Sequence, residues 1–557
     1  ASSRVLAIPE LLDLIFTYGD TDLHRHCALV CRAWSNAALN VLWREVNTMT
    51  LLIILRILSP LERIFPSPHG NSPTAEWNTP TAADWSRFTP YARRVRALKY
   101  HPVRDTAVSS ALLNDLARTR TSHRIFPNLH TLHWLSNENC RSEEVFMHEG
   151  VQELRVQLER RWDGPGLADF STSVAERTPM LTNLCIEPLS KDQDCQPLST
   201  LFSLLQRLAF VSLPVNALTS DVLASLGTLP GLKNVQFIPS SDDYHPYAAY
   251  SPEAARYASP APGSFPVLED LSLCSSLNCM MHFLIDGTLL AKLSKLYLIC
   301  PYIEQPLDVR NFFAAIAERY PHLLSLCVDI IADVDEALNK NCEPLTFDTL
   351  QPLLSISSLE VLDVRHNLPI TLSEAELAKM GAALPAMREL GLNCEPLTAE
   401  RPPTTIGTLP TVAEHFPRLE TLRLFVDACT APTTEDLARP ARFKQLETIE
   451  FGLSPIGEDI QPVQLFLSRL FAEGNSCTSP DVTAGLTWDS ELYTEDEELV
   501  SAMNTFWRRW QDVRRSLPLL VQLRRDEMRQ RSELVREVED LRMRSEVLAA
   551  RARIPRA

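Results

Sequence analysis

A short apolar pattern repeats along most of this chain, and it restricts the fold more than any other feature. The pattern has the form Φ-x-x-Φ-x-Φ, where Φ is an apolar residue, as in LHTLHW, LEDLSL and LETLRL. The thirteen copies begin at Val95, Leu129, Val151, Leu181, Leu205, Leu232, Leu268, Leu293, Leu323, Leu359, Met387, Leu419 and Leu446. The eleven intervals from Leu129 to Leu446 range from 22 to 36 residues and average about 29. Because one such unit cannot bury its apolar side alone, the units are predicted to stack around one continuous core.

Proline marks a regular boundary inside these units. In seven of the twelve units from Leu129 onward, a proline lies two residues before the first apolar position. Those prolines are Pro127, Pro179, Pro230, Pro266, Pro321, Pro385 and Pro417. Proline ends a helix and favours extended structure in the residue before it. Each unit is therefore predicted to run helix, proline, short strand, and segments such as RNFFAAIAERY and SEAELAKMGAAL carry the one-sided apolar spacing of the helices.

The order and mean spacing of these apolar positions resemble those of leucine-rich repeats. The resemblance implies an α/β fold, an irregular solenoid over residues 93–480 with a parallel sheet. The asparagine that follows the strand in such repeats is plain only at Asn367. We therefore expect degenerate repeats with an irregular register.

The segment from residue 8 to 46 reads IPELLDLIFTYGDTDLHRHCALVCRAWSNAALNVLWREV and predicts three short helices. Pro9 suits the first turn of a helix, Leu12, Ile15 and Phe16 recur at helical spacing, and Asp20 can cap the second helix. Three helices in about forty residues form a core too small to be secure alone. Domains of this size usually need a metal, disulfides or a partner, so we expect something further to complete the core.

The residue order in this segment resembles an F-box, the helical module that docks on the Skp-type adaptor of cullin-RING ubiquitin ligases. The resemblance rests on Ile8-Pro9, Leu12 and Ile15-Phe16, on Val30-Cys31 with Trp34 following, and on Leu42-Trp43-Arg44. Ile8 stands where the family usually has leucine. By motif position, the resemblance implies adaptor contact by Ile8, Pro9, Leu12, Ile15, Phe16, Val30, Cys31 and Trp34. Two alternatives are that some of them, Trp34 especially, form the core of the module, and that the segment is an ordinary helical cap.

Together the two patterns resemble F-box proteins with leucine-rich repeats, of the divergent type common in fungi. That resemblance implies a substrate-recognition subunit of an SCF-type ubiquitin ligase, whose F-box binds the adaptor, and through it a cullin, while the solenoid holds a protein target. Such a chain performs no covalent chemistry itself. The alternative is a leucine-rich-repeat scaffold or inhibitor without a role in ubiquitin transfer.

The predicted domains are an F-box-like domain at 1–46, a linker with first connecting elements at 47–92, the solenoid at 93–480 and a helical tail at 490–557. Pro518 is expected to kink or end the tail helix. From Ser501 onward the tail has 14 Arg, no Lys and 8 acidic residues. Leu534, Val538, Leu541 and Leu548 fit alternate a and d positions there, so self-association or association with another helix is one interpretation, and a solvated or packed helix is the other.

Four tyrosines lie within fourteen residues after the sixth repeat. Tyr244, Tyr247, Tyr250 and Tyr257 belong to a proline-rich insertion that would extend from the solenoid. Tyrosine offers a large contact area at low entropic cost, which makes this insertion a candidate for partner contact. The alternative is a solvated excursion without a binding role.

Composition and motifs argue against several other classes of protein. Glycine makes up about 3% of the chain, and the phosphate-binding motifs G-x-G-x-x-G and G-x-x-x-x-G-K-[ST] are absent. The net charge of −17 argues against nucleic acid as the main ligand, and no apolar run is long enough to cross a membrane. Catalytic motifs are also absent, and Cys274, Cys279 and His282 lack a fourth zinc ligand, so we expect no enzyme activity, metal or cofactor. Scattered cysteines and the lack of a secretory segment favour a cytoplasmic or nuclear location.

Overall fold

The computed structural model describes most of the chain in separate stretches. These are residues 8–58, 80–101, 110–135, 142–157, 164–187, 195–238, 257–287, 290–332, 342–396, 401–433, 441–471, 481–483 and 497–552, with residues 398, 435, 436 and 439. They form two compact units. One comprises the described residues up to Leu273 with Asp286–Lys292, and the other comprises Cys274–Ile285 and the described residues from Leu293 onward.

The first unit contains eight parallel strands in sequential order, each paired with the next. The strands are β1 (Glu45–Asn47), β2 (Ala97–Tyr100), β3 (Thr131–Trp134), β4 (Glu153–Gln157), β5 (Asn183–Glu187), β6 (Phe210–Pro214), β7 (Asn234–Ile238) and β8 (Asp270–Cys274). The described helices are α1 (Pro9–Thr17), α2 (Thr21–Cys27), α3 (Arg32–Leu42), α4 (Thr48–Leu55), α5 (Ala82–Ala92), α6 (Ser110–Thr119), α7 (Gly164–Arg177), α8 (Gln196–Leu204) and α9 (Ser220–Gly227).

The second unit contains seven parallel strands, again in sequential order. The strands are β9 (Lys295–Cys300), β10 (Ser325–Ile330), β11 (Val361–His366), β12 (Glu389–Leu392), β13 (Thr421–Leu424), β14 (Thr448–Glu450) and β15 (Asp481–Thr483). The described helices are α10 (Leu277–Leu284), α11 (Pro306–Arg319), α12 (Phe347–Leu350), α13 (Glu374–Ala383), α14 (Leu409–His415), α15 (Gln461–Leu470) and α16 (Glu497–Ala552). None of the described helices combines the length and apolarity that a membrane crossing requires.

Sequential parallel strands determine where the helices of each unit lie. A crossover between neighbouring parallel strands is right-handed almost without exception, so every connection returns over the same face of the sheet. The apolar repeat positions point to that face, and in β10 Leu326, Val328 and Ile330 are buried. The opposite face carries the polar positions of the strands. The predicted α/β class with a parallel sheet is confirmed.

A tight turn recurs before the strands. The backbone N–H of the first apolar residue donates to the carbonyl three residues earlier, as from Leu129 to Phe126 (3.1 Å) and from Leu323 to Tyr320 (3.1 Å). The proline of each of these units, Pro127 and Pro321, occupies the second position of the turn, where its constrained φ is favourable. Proline therefore separates helix and strand as the sequence predicts.

One repeat begins three residues later than predicted. The pairing of β5 with β6 sets Leu184 opposite Val211, which aligns Leu208 with the first apolar position of the unit before it. The N–H of Leu208 also donates the turn hydrogen bond to the carbonyl of Leu205. The predicted start at Leu205 is therefore wrong. The sequence LQRLAFVSL matches the pattern from either leucine, and strand pairing selects the second.

The C-terminal helix α16 continues past Pro518, so the helix does not end there, and a kink at Pro518 stays a prediction. Leu517 and Val521 on either side of the proline are buried. Their packing offsets the backbone hydrogen bond that proline removes, a cost of about 3 kcal/mol. The helix packs on α15 through contacts that include a hydrogen bond from Gln464 to the hydroxyl of Ser516 (2.7 Å).

Candidate functional site

The first three helices form a small module with a core of its own. Leu12 and Phe16 of α1 are buried with Cys27 of α2 and with Ala37 and Ala38 of α3. The Asp20 carboxylate accepts a hydrogen bond from the N–H of Leu23 (2.7 Å), so it caps α2 as the sequence predicts. The indole of Trp34 packs edge-on against the ring of Phe16, with centroids 5.7 Å apart. This core is small because only one face of each helix contributes to it.

The other faces of the module expose large apolar side chains. Seven such residues are between 43% and 88% exposed, namely Ile8, Leu14, Ile15, Tyr18, Leu23, Leu29 and Val30. Scattered single apolar residues are normal on a protein surface, but a concentration of this kind in one small module indicates a contact surface. The exposed faces of the module are therefore strongly apolar.

The predicted adaptor residues fall into two groups in the structure. Ile8, Ile15, Val30 and Cys31 are exposed. Leu12 and Phe16 are buried in the core of the module, and Trp34 is half-buried beside them. Pro9 begins α1, and its side chain lies outside the described residues. Adaptor contact by these residues stays a prediction.

Four exposed apolar residues of the module were missed by motif reasoning. They are Leu14, Tyr18, Leu23 and Leu29. The sequence feature that could have identified these four residues is that each is apolar but lies beside the apolar helix face that forms the core. Helical spacing alone identifies the core stripe, whereas exposure depends on which stripe the other helices cover.

The module is joined directly to the first sheet. Strand β1 begins at Glu45, two residues after Trp43, and pairs in parallel with β2. The guanidinium of Arg94, which precedes β2, donates to the carbonyl of Asn36 on α3 (3.0 Å). The interval predicted as a linker with connecting elements, residues 47–92, contains the end of β1 and the helices α4 and α5, and residues 59–79 lie outside the described residues.

In the second unit, a row of charged side chains crosses the sheet face opposite the helices. Strand pairing brings Asp363, Gly391, Arg423 and Glu450 to equivalent positions on β11 to β14. Arg423 forms ion pairs with Glu450 on the next strand (3.1 Å) and, across Gly391, with Asp363 (3.3 Å). A Cβ at residue 391 would overlap Oδ1 of Asp363, so only glycine leaves room for this contact.

A second arginine extends the charged row. Arg365 lies 3.7 Å from Asp329 and 3.9 Å from Asp363. Burial by itself would lower the pKa of Arg365, but the two carboxylates outweigh that effect and hold its pKa above the ordinary value. The hydroxyl of Tyr297 donates to Asp329 (2.8 Å). The row is therefore a preorganised polar surface in which both arginines stay charged.

Two cysteine thiols in the strands, Cys327 on β10 and Cys185 on β5, are protonated at neutral pH. Burial raises the pKa of Cys327 and of Cys185 to about 12. A thiol acts as a nucleophile or metal ligand mainly as its thiolate, so neither residue is activated for such a role. Within the described stretches, no group of three or more His, Cys, Asp or Glu side chains is placed to hold a metal ion.

The tyrosine-rich insertion is described at only one of its four tyrosines. Tyr257 is 3% exposed, so its side chain belongs to the interior rather than to an accessible contact surface. Tyr244, Tyr247 and Tyr250 lie outside the described residues. Partner contact by the insertion stays a prediction for those three.

Comparison with known proteins bears on the N-terminal module. Residues 9–49 match the family model described as F-box-like, which confirms the predicted F-box-like domain. The described strands of both units have the sequential parallel arrangement of leucine-rich-repeat folds. The chain is thus one that carries an F-box-like domain ahead of leucine-rich repeats. No curated protein matches the sequence.

Several solved structures align with part of this chain, with low sequence identity and low TM-scores. Rad7 in the Rad7–Elc1 complex from yeast is 13% identical with a TM-score of 0.37, over 70% of this chain and 87% of that chain. TLR13 in the TLR13–ssRNA13 complex is 14% identical with a TM-score of 0.31, over 74% and 63%. A leucine-rich repeat protein from Bacteroides eggerthii is 11% identical with a TM-score of 0.26, over 76% and 77%. Similarities this low carry no argument about partners.

Proposed function

We propose that this chain is the substrate-recognition subunit of an SCF-type cullin-RING ubiquitin ligase. In this proposal the F-box-like domain docks on a Skp-type adaptor, which links it to a cullin, and the repeat units hold a protein target. The observation that carries the proposal is the exposed apolar surface of a module that matches the F-box-like family over residues 9–49.

The energetics of the module support adaptor docking. Covering an exposed Ile, Leu or Val side chain contributes roughly 1.5–3 kcal/mol when the burial is complete. Ile8, Ile15 and Val30 are each about half exposed or more, and Tyr18 is 88% exposed. A protein partner that covers these side chains would complete the small core from outside. Protein interfaces are built in this way, with a few buried apolar anchors at the centre.

Buried members of the motif take a supporting role in this proposal. Leu12 and Phe16 hold α1 against α3, and Trp34 packs on Phe16. These three residues hold Ile15 and Val30 in fixed positions. They do not contact the adaptor themselves. Substitution of a supporting residue would therefore weaken docking together with the stability of the module.

For the target, the polar sheet face of the repeat units is the proposed contact. In the second unit the charged row around Asp363 and Arg423 offers both signs of charge in a fixed arrangement. Such a surface selects a partner with the complementary charge pattern. The contribution of the chain to ubiquitin transfer would be positional, because holding the target raises the effective concentration of its lysines near the ligase.

Point substitutions test the docking surface better than a deletion. Because β1 begins at Glu45, removal of residues 1–46 would also strip the edge of the first sheet. The Ile15→Glu/Val30→Glu variant keeps the backbone and places two carboxylates in the proposed interface. In a pull-down with purified Skp-type adaptor, we expect recovery of this variant to fall at least tenfold.

A matched control comes from the same unit. Leu204 at the end of α8 is 60% exposed, so Leu204→Glu introduces a similar charge outside the proposed interface and should leave recovery unchanged. Equal recovery of the double variant and the unsubstituted chain would contradict adaptor docking on this surface. Circular dichroism of both variants checks that the repeats remain folded.

The second candidate function is a leucine-rich-repeat scaffold without a role in ubiquitin transfer. The charged sheet face favours protein binding in either case. Cellular abundance of the bound protein separates the two functions. If the chain is a ligase receptor, the Ile15→Glu/Val30→Glu variant lets the bound protein accumulate, whereas a scaffold leaves its abundance unchanged.

A further inference from the structure

A cavity lined by four arginines lies where the F-box-like domain meets the first repeats. Its volume is about 670 Å³. The charged residues that line it are Arg44, Arg93, Arg94 and Arg96, with His130 beside them, and no aspartate or glutamate is among the lining residues. This concentration of positive charge is unusual in a chain with a net charge of −17.

The repeat geometry explains how three of these side chains come together. Arg44, Arg96 and His130 each immediately precede a strand, β1, β2 and β3 respectively. The N–H of Arg96 donates to the carbonyl of Arg44 (2.8 Å), and the N–H of His130 donates to the carbonyl of Arg96 (3.0 Å). They therefore occupy one repeat position on three adjacent strands, about 4.8 Å apart.

The same repeat position in the second unit shows how such charges are ordinarily balanced. There it is occupied by Glu360, Arg388 and Glu420 before β11, β12 and β13. Arg388 pairs with Glu420 (2.8 Å) and with Glu360 (3.7 Å). In the first unit, the neighbours of Arg96 are themselves basic. The side chains of Arg44, Arg93 and Arg96 make no ion pair with any residue the structure describes.

Arg94 gives the cavity a guanidinium in a fixed position. Its Nη1 donates to the carbonyl of Asn36 (3.0 Å) and its Nη2 donates to the side-chain oxygen of Asn36 (3.2 Å). The side-chain oxygen of Asn40 accepts a third hydrogen bond. These acceptors are neutral, so the positive charge of Arg94 is oriented but not neutralised.

We propose that this cavity binds a ligand that carries two or more phosphate groups. Guanidinium groups form paired hydrogen bonds with phosphate oxygens, and several converging arginines favour a multiply charged phosphate ligand over a single carboxylate. The cavity has the volume of an ordinary small-molecule site. The ligand is either a free polyphosphate or a phosphorylated protein segment, because the recognised chemistry is the same. Leu14 of the F-box-like domain also lines the cavity, and the titrations that test the site use the chain without an adaptor.

Isothermal titration calorimetry of the full chain with sodium tripolyphosphate, in phosphate-free buffer at low salt, tests the site. We expect one binding event, and an Arg44→Gln/Arg96→Gln variant should bind at least tenfold more weakly. Arg388→Gln removes an arginine from the same repeat position in the second unit and should leave affinity unchanged within twofold. Both variants alter exposed or half-exposed side chains, and thermal melting verifies that they fold.

A second titration distinguishes the sources of the phosphate. The probe is a peptide with two phosphoserines, and its unphosphorylated form is the control. Tighter binding of the phosphopeptide than of tripolyphosphate supports a phosphorylated segment as the ligand, whereas the reverse order supports a free polyphosphate. The proposal is overturned if neither probe binds, or if the Arg44→Gln/Arg96→Gln variant binds as tightly as the unsubstituted chain.

Discussion

Replacement of Trp510 by alanine tests whether the C-terminal helix is part of the second repeat unit. The indole is fully buried and stacks on the ring of Phe451, with centroids 4.3 Å apart and planes 14° from parallel. Its Nε1–H donates to the carbonyl of Ser454 (2.8 Å). Phe451 directly follows β14 and Ser454 lies three residues further on, so this contact packs α16 against the segment that follows β14.

The expected loss of stability follows from these contacts. A buried tryptophan replaced by alanine costs about 3–5 kcal/mol, and the carbonyl of Ser454 left without its donor adds about 1 kcal/mol. We therefore expect the free energy of unfolding of the second unit to fall by about 5 kcal/mol. Trp510→Phe keeps an aromatic ring against Phe451 and loses the hydrogen bond, so its cost should be about 1–2 kcal/mol.

Urea denaturation followed by circular dichroism measures these differences. With a slope of about 2 kcal/mol per molar urea, Trp510→Ala should lower the midpoint of the affected transition by about 2.5 M. Trp507 lies one turn earlier on the same helix and is 46% exposed, so Trp507→Ala is the matched control, with an expected cost of about 1 kcal/mol. Equal midpoint shifts for the two alanine variants would refute the assignment of Trp510 to the core.

Three further predictions concern packing, pH and the distal part of α16. Gly391→Ala should destabilise the second unit by about 1–3 kcal/mol, because its new methyl group would displace the side chain of Asp363. Gly231→Ala, which meets only an ordinary contact at 3.7 Å, is the control, and equal melting temperatures would contradict the prediction. Burial lowers the pKa of His366 to about 4, so the unfolded chain takes up a proton at higher pH than the folded protein does. Stability should therefore fall by up to about 3 kcal/mol from pH 7 to pH 4, and His366→Gln should flatten that dependence in pH-dependent denaturation. Residues 527–546 expose nearly every side chain, so a chain ending at residue 526 should keep its melting temperature, and a large decrease would show that the distal helix is packed.

Much of the candidate docking site could be predicted from residue order. The motif identifies α1 to α3 and the residues that build their core, because helical spacing alone assigns Leu12 and Phe16 to one face. It does not separate the core from the contact surface. Ile15 directly precedes Phe16 in sequence, yet Ile15 is exposed and Phe16 is buried, since α2 and α3 cover only one side of α1. That distinction requires the packed structure.

The arginine cavity illustrates a site that no local motif indicates. Arg93, Arg94 and Arg96 are close in sequence, but Arg44 lies about fifty residues earlier and joins them only because β1 pairs with β2. The charged row of the second unit has the same origin. Asp363 and Arg423 are 60 residues apart and meet across Gly391 through strand register. The sequence pattern predicted the strands, but it did not predict which polar side chains meet when those strands pair.

By itself, the sequence determined the repeating helix and strand units, the proline turns between them and the F-box-like helices, because those features depend on the periodicity of neighbouring residues. Tertiary structure decided the remainder. Strand pairing sets the start of one repeat at Leu208 and not at Leu205. Packing against α15 allows α16 to continue past Pro518. In both cases the local pattern allowed two outcomes, and contacts with residues distant in sequence selected one of them.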